Sequence, residues 1–200
     1  AHPKRLELID MLSQGERSVE ALALETNMSI ANTSQHLQTL KAARLINTRR
    51  DGLYVYYRLA DIHVHKLWSL IRDLGQKSLA DVDRVVQNFF KDRQQFQSVS
   101  AGELLALMQK RDVVVLDVRP TLEYKQGHIK GAISVPLEKL EDYLSKIPKS
   151  KTIVAYCRGP YCVMSYEAVK LISAKGYRGI RLDEGLPEWR LRGFPVEQIN

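Results

Sequence analysis

The sequence predicts two domains: a mainly α first half carrying one β-hairpin, then an α/β second half built on a mostly parallel sheet. Helix-period apolar residues run through the first half except at 45–60, where Asp51-Gly52 sits between two β-rich runs. From about Phe96, β-branched runs alternate with helical patterns, the signature of successive β–α units. Both cysteines fall in one short stretch, Cys157-Arg158-Gly159-Pro160-Tyr161-Cys162, between a β-branched run and an apolar-periodic one.

Composition sets the bounds. A chain of 200 residues suits one large or two small domains, and 44% hydrophobic with 26% charged residues is ordinary for a soluble globular protein. No apolar run approaches the roughly 18 residues of a membrane-spanning helix, so no membrane partner is expected. No signal peptide is visible: AHPKRLELIDML is already an amphipathic pattern, and its abrupt start fits a chain trimmed at that end. Two cysteines make no disulfide framework, which fits a reducing cytoplasm, the expected location. A net charge of +7 permits an anionic partner without specifying one.

In the first half, Lys4 to Leu12 reads as an amphipathic helix. Ser18 caps a second helix, Asn27-Met28 breaks it, and Ser29 caps a third running to about Ala43. The hairpin at 45–60 follows. Helix, turn, helix, hairpin is the order of a winged helix-turn-helix. Beyond it Leu67, Leu70, Ile71, Leu74, Leu79, Val82, Val85, Val86, Phe89 and Phe90 recur at threes and fours. So small a half offers little core to cover that stripe, and a homodimer seam is expected there. The boundary is placed between Arg93 and Ser98, giving domains 1–95 and 96–200 with no Gly/Pro-rich linker.

In the second half, Ser100-Ala101-Gly102-Glu103 reads as a capping box. Val113 to Val118, Ile133 to Val135 and Ile153 to Tyr156 read as strands. Cys157 then stands at a strand end, with a tight loop and a helix from Val163 after it. Backbone N–H groups of such a loop, together with the helix dipole, favour thiolate over thiol and make Cys157 a nucleophile.

Asp117-Val118-Arg119, Glu123-Tyr124, Gly127-His128-Ile129-Lys130-Gly131-Ala132, the Cys157 loop and Gly185-Leu186-Pro187-Glu188-Trp189 together resemble the rhodanese family of sulfurtransferases over about 100 residues. Glu184-Gly185 replaces the glycine pair of many relatives, a change expected to be tolerated. The resemblance implies a catalytic Cys157 whose thiolate takes a sulfur from a sulfane-sulfur donor, such as thiosulfate or polysulfide, and passes it as a persulfide to a thiol acceptor. It implies an active-site loop of Arg158, Gly159, Pro160, Tyr161, Cys162 and Val163. In that loop the N–H groups of Arg158, Gly159, Tyr161, Cys162 and Val163 hold the persulfide anion. Arg158 is either an attractor of an anionic donor or a solvated arginine. Asp117, Arg119 and Glu123 are expected to form a structural charge cluster, and His128 is left outside the catalytic set. Cysteine phosphatases place an arginine where this loop has Val163, which argues against phosphate hydrolysis. Cys162 either fills space or attacks the persulfide to form a bridge to Cys157.

Met28 to Lys41, followed by Ala43-Arg44-Leu45-Ile46, resembles the recognition helix of the ArsR/SmtB family of bacterial repressors, and the hairpin their wing. Between Thr26 and Arg58 five basic residues face one acid, Asp51. A double-stranded DNA operator is the expected partner. Ala31, Ser34, Gln35 and Gln38 are assigned to base edges and Arg49 and Arg50 to phosphates, with Leu37 and Leu40 in the core. Relatives that sense metals do so through cysteines absent here from Val19 to Glu25, or through Asp-x-His plus two further ligands. Asp61-Ile62-His63 supplies half of the second set, and Leu74 and Lys77 occupy the other half, so a helix cap is expected rather than a metal site. No cofactor is expected. The reading is a DNA-binding regulator whose rhodanese domain forms a persulfide at Cys157, with the chemistry expected of a rhodanese-type sulfurtransferase. Two alternatives stand beside it: a sulfurtransferase that dimerises through its first half, and a metal-sensing repressor with a vestigial rhodanese.

Overall fold

The computed structural model describes residues 2–79, 84, 96–110 and 113–199. The chain divides into two compact units, 1–85 and 86–200. The expected domain limit at residue 95 lies outside the described residues, as do Val82, Val85, Val86, Phe89 and Phe90 of the apolar stripe.

The first unit opens with α1 (Pro3–Gln14) and a two-residue strand, β1 (Arg17–Ser18). In α2 (Val19–Thr26) the Ser18 hydroxyl caps the helix by accepting from Ala21 N–H. Asn27 then takes the left-handed conformation, φ 52°, which asparagine tolerates. This turn leads into α3 (Ile30–Ala42), capped by Ser29. β2 (Ile46–Asp51) and β3 (Tyr54–Leu59) form the hairpin, with Gly52 at φ 58° in its turn. β1 adds to the other side of β3, giving the order β1-β3-β2. Strand β1 was not legible in the sequence, because two residues leave no alternation to read. Leu8, Ile9, Leu12, Leu22, Leu37, Leu40, Ile46 and Tyr57 form the core. α4 (Ile62–Ser78) follows, and Leu67, Leu70, Ile71 and Leu74 line an exposed stripe along it.

The second unit is a five-stranded parallel sheet with strand order β4-β9-β8-β5-β7. The strands are β4 (Ser98–Val99), β5 (Val113–Asp117), β7 (Ile133–Ser134), β8 (Thr152–Tyr156) and β9 (Arg178–Leu182). The expected capping box of Ser100 and Glu103 opens α5 (Ala101–Gln109), with both reciprocal bonds present. Short α6 (Thr121–Gln126) and α7 (Leu140–Leu144) lie between strands, and β6 (His128–Ile129) pairs antiparallel with β10 (Val196–Glu197). α8 (Val163–Ala174) crosses from β8 to β9, and α9 (Leu186–Leu191) follows β9.

Alternation along the strands fills two cores. Leu116, Ile153, Ala155 and Cys157 pack with Ala168, Val169 and Ile172 of α8. Val115, Val154 and Tyr156 pack with Leu104, Leu186 and Trp189. From β5 the chain runs outward to β7, whereas from β8 it runs the other way to β9. The order therefore reverses between β5 and β8. In open α/β sheets the crevice at the carboxyl ends of such strands is where ligands bind. Asp117 ends β5, and Cys157 directly follows the end of β8.

Candidate functional sites: a cysteine loop and a basic winged face

Cys157 is 1% exposed and continues the side of β8 that faces α8. Its sulfur is bonded to that of Cys162, with the two Cα atoms 6.2 Å apart. Cys162 is the N-cap residue of α8, and no side chain caps that helix end. The bond therefore fixes the Cys157 sulfur at the positive end of a twelve-residue helix, where negative charge on sulfur is stabilised. The strand–loop–helix placement expected from sequence is the one observed. The chain has no disulfide framework, yet its two cysteines are paired with each other, and Cys162 is more than filler in this form.

One detail of the loop corrects the expected anion nest. Cys162 N–H donates to Gly159 O at 3.1 Å, closing a turn around Pro160 and Tyr161. That donor is not directed at the sulfur here, which leaves Arg158, Gly159, Tyr161 and Val163 as the N–H groups of the expected nest. Val163 is the first residue of α8, where an N–H has no intrahelical acceptor.

The loop rests on a buried charge cluster. The Arg119 side chain is fully buried, and its Nε donates to Asp117 Oδ1 at 2.9 Å while Nη2 reaches Asp117 Oδ2 at 2.6 Å and Gly127 O at 2.8 Å. Burial pulls the Arg119 guanidinium toward neutrality, but the hydrogen bonds and charge of Asp117 outweigh it and hold Arg119 protonated. Glu123, also buried, lies 4.0 Å from Arg119 Nη1 and accepts from Arg158 Nε at 3.0 Å. Arg158 is thus held by Glu123 while its side chain stays 34% exposed, which makes it a strut between the loop and the cluster that still meets solvent. Tyr156 completes the arrangement. Its hydroxyl donates to Asp117 Oδ2 and accepts from Ile129 N–H at 3.1 Å. Burial, followed by the Asp117 charge, pushes the Tyr156 phenol well above its usual range, so it stays a donor.

Two supports were not foreseen from sequence. A methyl group on Gly185 would stand 2.4 Å from the carbonyl carbon and oxygen of Arg158 and 2.6 Å from Gly159 N. Only glycine lets the start of α9 approach the loop so closely. Glu188 then accepts from Gly185 N–H at 3.0 Å, pinning that approach. The preceding Glu184 pairs with Arg192 on the outside of the turn. His128 stacks on Tyr124 with ring centroids 3.7 Å apart, and its Nδ1 is 2.9 Å from Tyr124 O, a packing role.

In the first unit, Ala31, Gln35 and Gln38 are exposed and Ser34 is half-buried on α3. At i, i+3, i+4 and i+7 they share one helix face, while Thr33, Leu37 and Leu40 turn to the core. Lys41, Arg44, Arg50 and Arg58 are exposed and carry no ion pair among the described residues, with Arg50 and Arg58 on opposite faces of the hairpin. Arg49 differs. Its guanidinium bonds Glu16 at 2.6 Å and Asp51 at 2.9 Å, and lies over the Tyr56 ring at 4.9 Å. The hydrogen bond to Glu16 first, then that to Asp51, raises its affinity for its proton further. Leu53, missed in the sequence, is fully exposed at the hairpin tip. Asp61 caps α4 by accepting from His63 N–H at 2.8 Å, as expected for a cap. Among the described residues no group of three or more His, Cys, Asp or Glu is placed to hold a metal ion.

Comparison with known proteins covers both units. Residues 2–48 match the bacterial regulatory proteins of the arsR family, and residues 100–192 match the rhodanese-like domain. The HTH-type transcriptional regulator Rv0324 of Mycobacterium tuberculosis is 40% identical over 99% of this chain and 87% of its own length. A sulfurtransferase of Allochromatium vinosum is 33% identical over 45% of this chain and 83% of its own. The crystal structure of the BH2092 protein from Bacillus halodurans superimposes on 58% of this chain and 85% of its own, with 29% identity and a TM-score of 0.50.

Proposed function

We propose, for a chain that belongs to the HTH-type transcriptional regulators joining an arsR-family domain to a rhodanese-like one, that the state of sulfur on Cys157 sets how tightly the protein binds its operator. The observation that carries this reading is the Cys157 sulfur at the end of the central strand and at the N-terminus of α8, a place built for a sulfur anion. Reduced Cys157 attacks the outer sulfur of a donor such as thiosulfate and keeps it as a persulfide. An external thiol acceptor removes it. The Asp117–Arg119–Glu123–Arg158 cluster holds the loop and takes no proton in this chemistry.

DNA is bound by α3 and the hairpin. Ala31, Ser34, Gln35 and Gln38 meet base edges in the major groove, and Arg50, with Arg49 beside it, meets phosphates. The exposed stripe Leu67, Leu70, Ile71 and Leu74 on α4 seats a second copy, which sets two recognition helices on one operator. The domain limit near 95 and a cytoplasmic location belong to the same reading.

The test is operator titration at fixed salt with three proteins: reduced, persulfidated and Cys157→Ser. Persulfidation is expected to change affinity roughly 5- to 150-fold, the usual span of a coupling of about 1–3 kcal/mol, with Cys157→Ser locked at the reduced value. Equal affinities in all three would leave a sulfurtransferase joined to a DNA-binding unit without communication between them.

A further inference from the structure

Resting on the persulfide reading above, we infer that Cys162 is a resolving thiol. The loop therefore needs no external acceptor for its first turnover: it reduces a sulfane sulfur to sulfide and closes as the Cys157–Cys162 disulfide.

The geometry supplies the attack. The two Cα atoms stand 6.2 Å apart, inside the range that a disulfide spans without backbone movement. Both ends of the loop are fixed independently of that bond. On one side Cys157 continues β8, and Arg158 is clamped by Glu123. On the other, Cys162 is the N-cap of α8, and its own N–H closes a turn onto Gly159 O. Gly185 backs the turn from behind, with no room for a side chain. None of these contacts is made by the two sulfurs, so the thiols of the reduced loop are expected to stay within reach of each other.

Proximity favours the internal thiol. In the bonded form Cys157 is 1% exposed, with the Cys162 sulfur directly against its own. Cys162 is half-buried beside it and needs no entry path. The N-terminus of α8 also stabilises the thiolate that Cys162 must present.

The steps balance. Cys157 thiolate attacks the outer sulfur of thiosulfate, the S–S bond of the donor breaks, and sulfite leaves with the bonding pair. The product is Cys157–S–S⁻, which takes up one proton. Cys162 thiolate then attacks Sγ of Cys157. A bond forms between the two cysteine sulfurs, the bond to the outer sulfur breaks, and that sulfur departs with the electron pair and the proton as HS⁻. The sulfane sulfur is reduced, and the two cysteine thiols together are oxidised to a disulfide. Return to the dithiol requires two electrons and two protons from a dithiol reductant of the thioredoxin class. In this scheme the closed loop is the form that records an encounter with sulfane sulfur, and it persists after the sulfur has left.

Thiosulfate separates the two steps, because sulfite reports loading and sulfide reports resolution. The full chain is reduced, freed of reductant without oxygen, and given thiosulfate with no added thiol. Wild type is expected to release one sulfite and one sulfide per chain and to end lighter by two hydrogens in intact mass. Cys162→Ser, which places a favoured N-cap residue at the helix start and so keeps the fold, is expected to release sulfite, lose the sulfide signal and end heavier by one sulfur. Wild type that releases sulfite and keeps the added sulfur without sulfide overturns the inference, while the persulfide reading stands. Absence of sulfite from both proteins overturns the persulfide reading and this inference with it.

Discussion

Arg119 and Arg50 show how differently the two units use the same side chain. Arg119 is fully buried, with its guanidinium bonded to Asp117 and to Gly127 O. Its charge holds a loop in place and is closed to solvent. Arg50 is exposed on the hairpin and has no ion pair among the described residues. Its charge holds none of the described residues and is open to an anion. The second unit encloses this cluster to give one sulfur a fixed environment, and the first leaves Arg50 where a polyanion can lie. A net charge alone cannot tell these uses apart; pairing and burial can.

The sharpest way to break this contrast is to remove the partner of the enclosed arginine. Asp117→Ala leaves Arg119 buried without its carboxylate and Tyr156 without its acceptor. The expected loss is about 3–5 kcal/mol, because breaking a buried pair, with only Glu123 at 4.0 Å left as counter-charge, costs far more than a surface pair is worth. Arg50→Ala should stay within about 0.5 kcal/mol of wild type. Urea unfolding followed through Trp189, which lies in the second unit, in a Trp68→Phe background measures the first variant, and unfolding followed through Trp68, which packs on the first-unit core, in a Trp189→Phe background measures the second. If Asp117→Ala unfolded at the wild-type urea concentration, the cluster would be ornament and the loop would owe its shape to something else.

The next effect sharpens the account of the loop itself. In Gly185→Ala the new methyl meets backbone at 2.4 Å, and no flexible side chain is there to yield. The start of α9 or the Arg158-Gly159 segment must move, at about 1–3 kcal/mol for overpacking. Thiosulfate-to-cyanide sulfur transfer should fall with it, and its rate is the second readout. Gly102→Ala serves as the control, since a methyl there meets nothing within 4 Å. Equal rates in the two variants would mean that the contact at Gly185 does not position the nucleophile.

These supports explain where sequence reading stopped. The Ser18, Ser29 and Ser100 caps and the Asp51-Gly52 hairpin were legible because their partners lie within a few residues. The Cys157 loop was legible for the same reason: strand, turn and helix follow one another directly. The hold of Glu123 on Arg158 and the Tyr156 bond to Asp117 join residues 35 and 39 positions apart. No local spacing encodes such pairs; they exist once the parallel sheet brings β5 and β8 side by side. Tyr156 carried one faint signal, a phenol ending a β-branched run. The two-residue strands β1, β4, β6 and β10 were beyond reach, since their pairing is dictated by neighbours and not by their own pattern.

The smallest expected effect tests the open side of the contrast, and it divides two arginines that adjoin in sequence. Arg49 and Arg50 were both assigned to phosphates, but only Arg49 is already held, by Glu16 and Asp51. To bind a phosphate, Arg49 must exchange those carboxylates for it, leaving two acids near the DNA. Arg50 has no such partner among the described residues. Arg50→Ala should therefore weaken binding to cognate and random duplexes alike and lower the slope of log affinity against log salt by about 1. Arg49→Ala should change the slope less, and Glu16→Gln should strengthen binding by freeing Arg49. The comparison is made by titrating one operator and one scrambled duplex across a salt series. A larger slope change for Arg49→Ala than for Arg50→Ala would show that the Glu16 pair opens on DNA and that pairing within the free protein does not mark which charges are available.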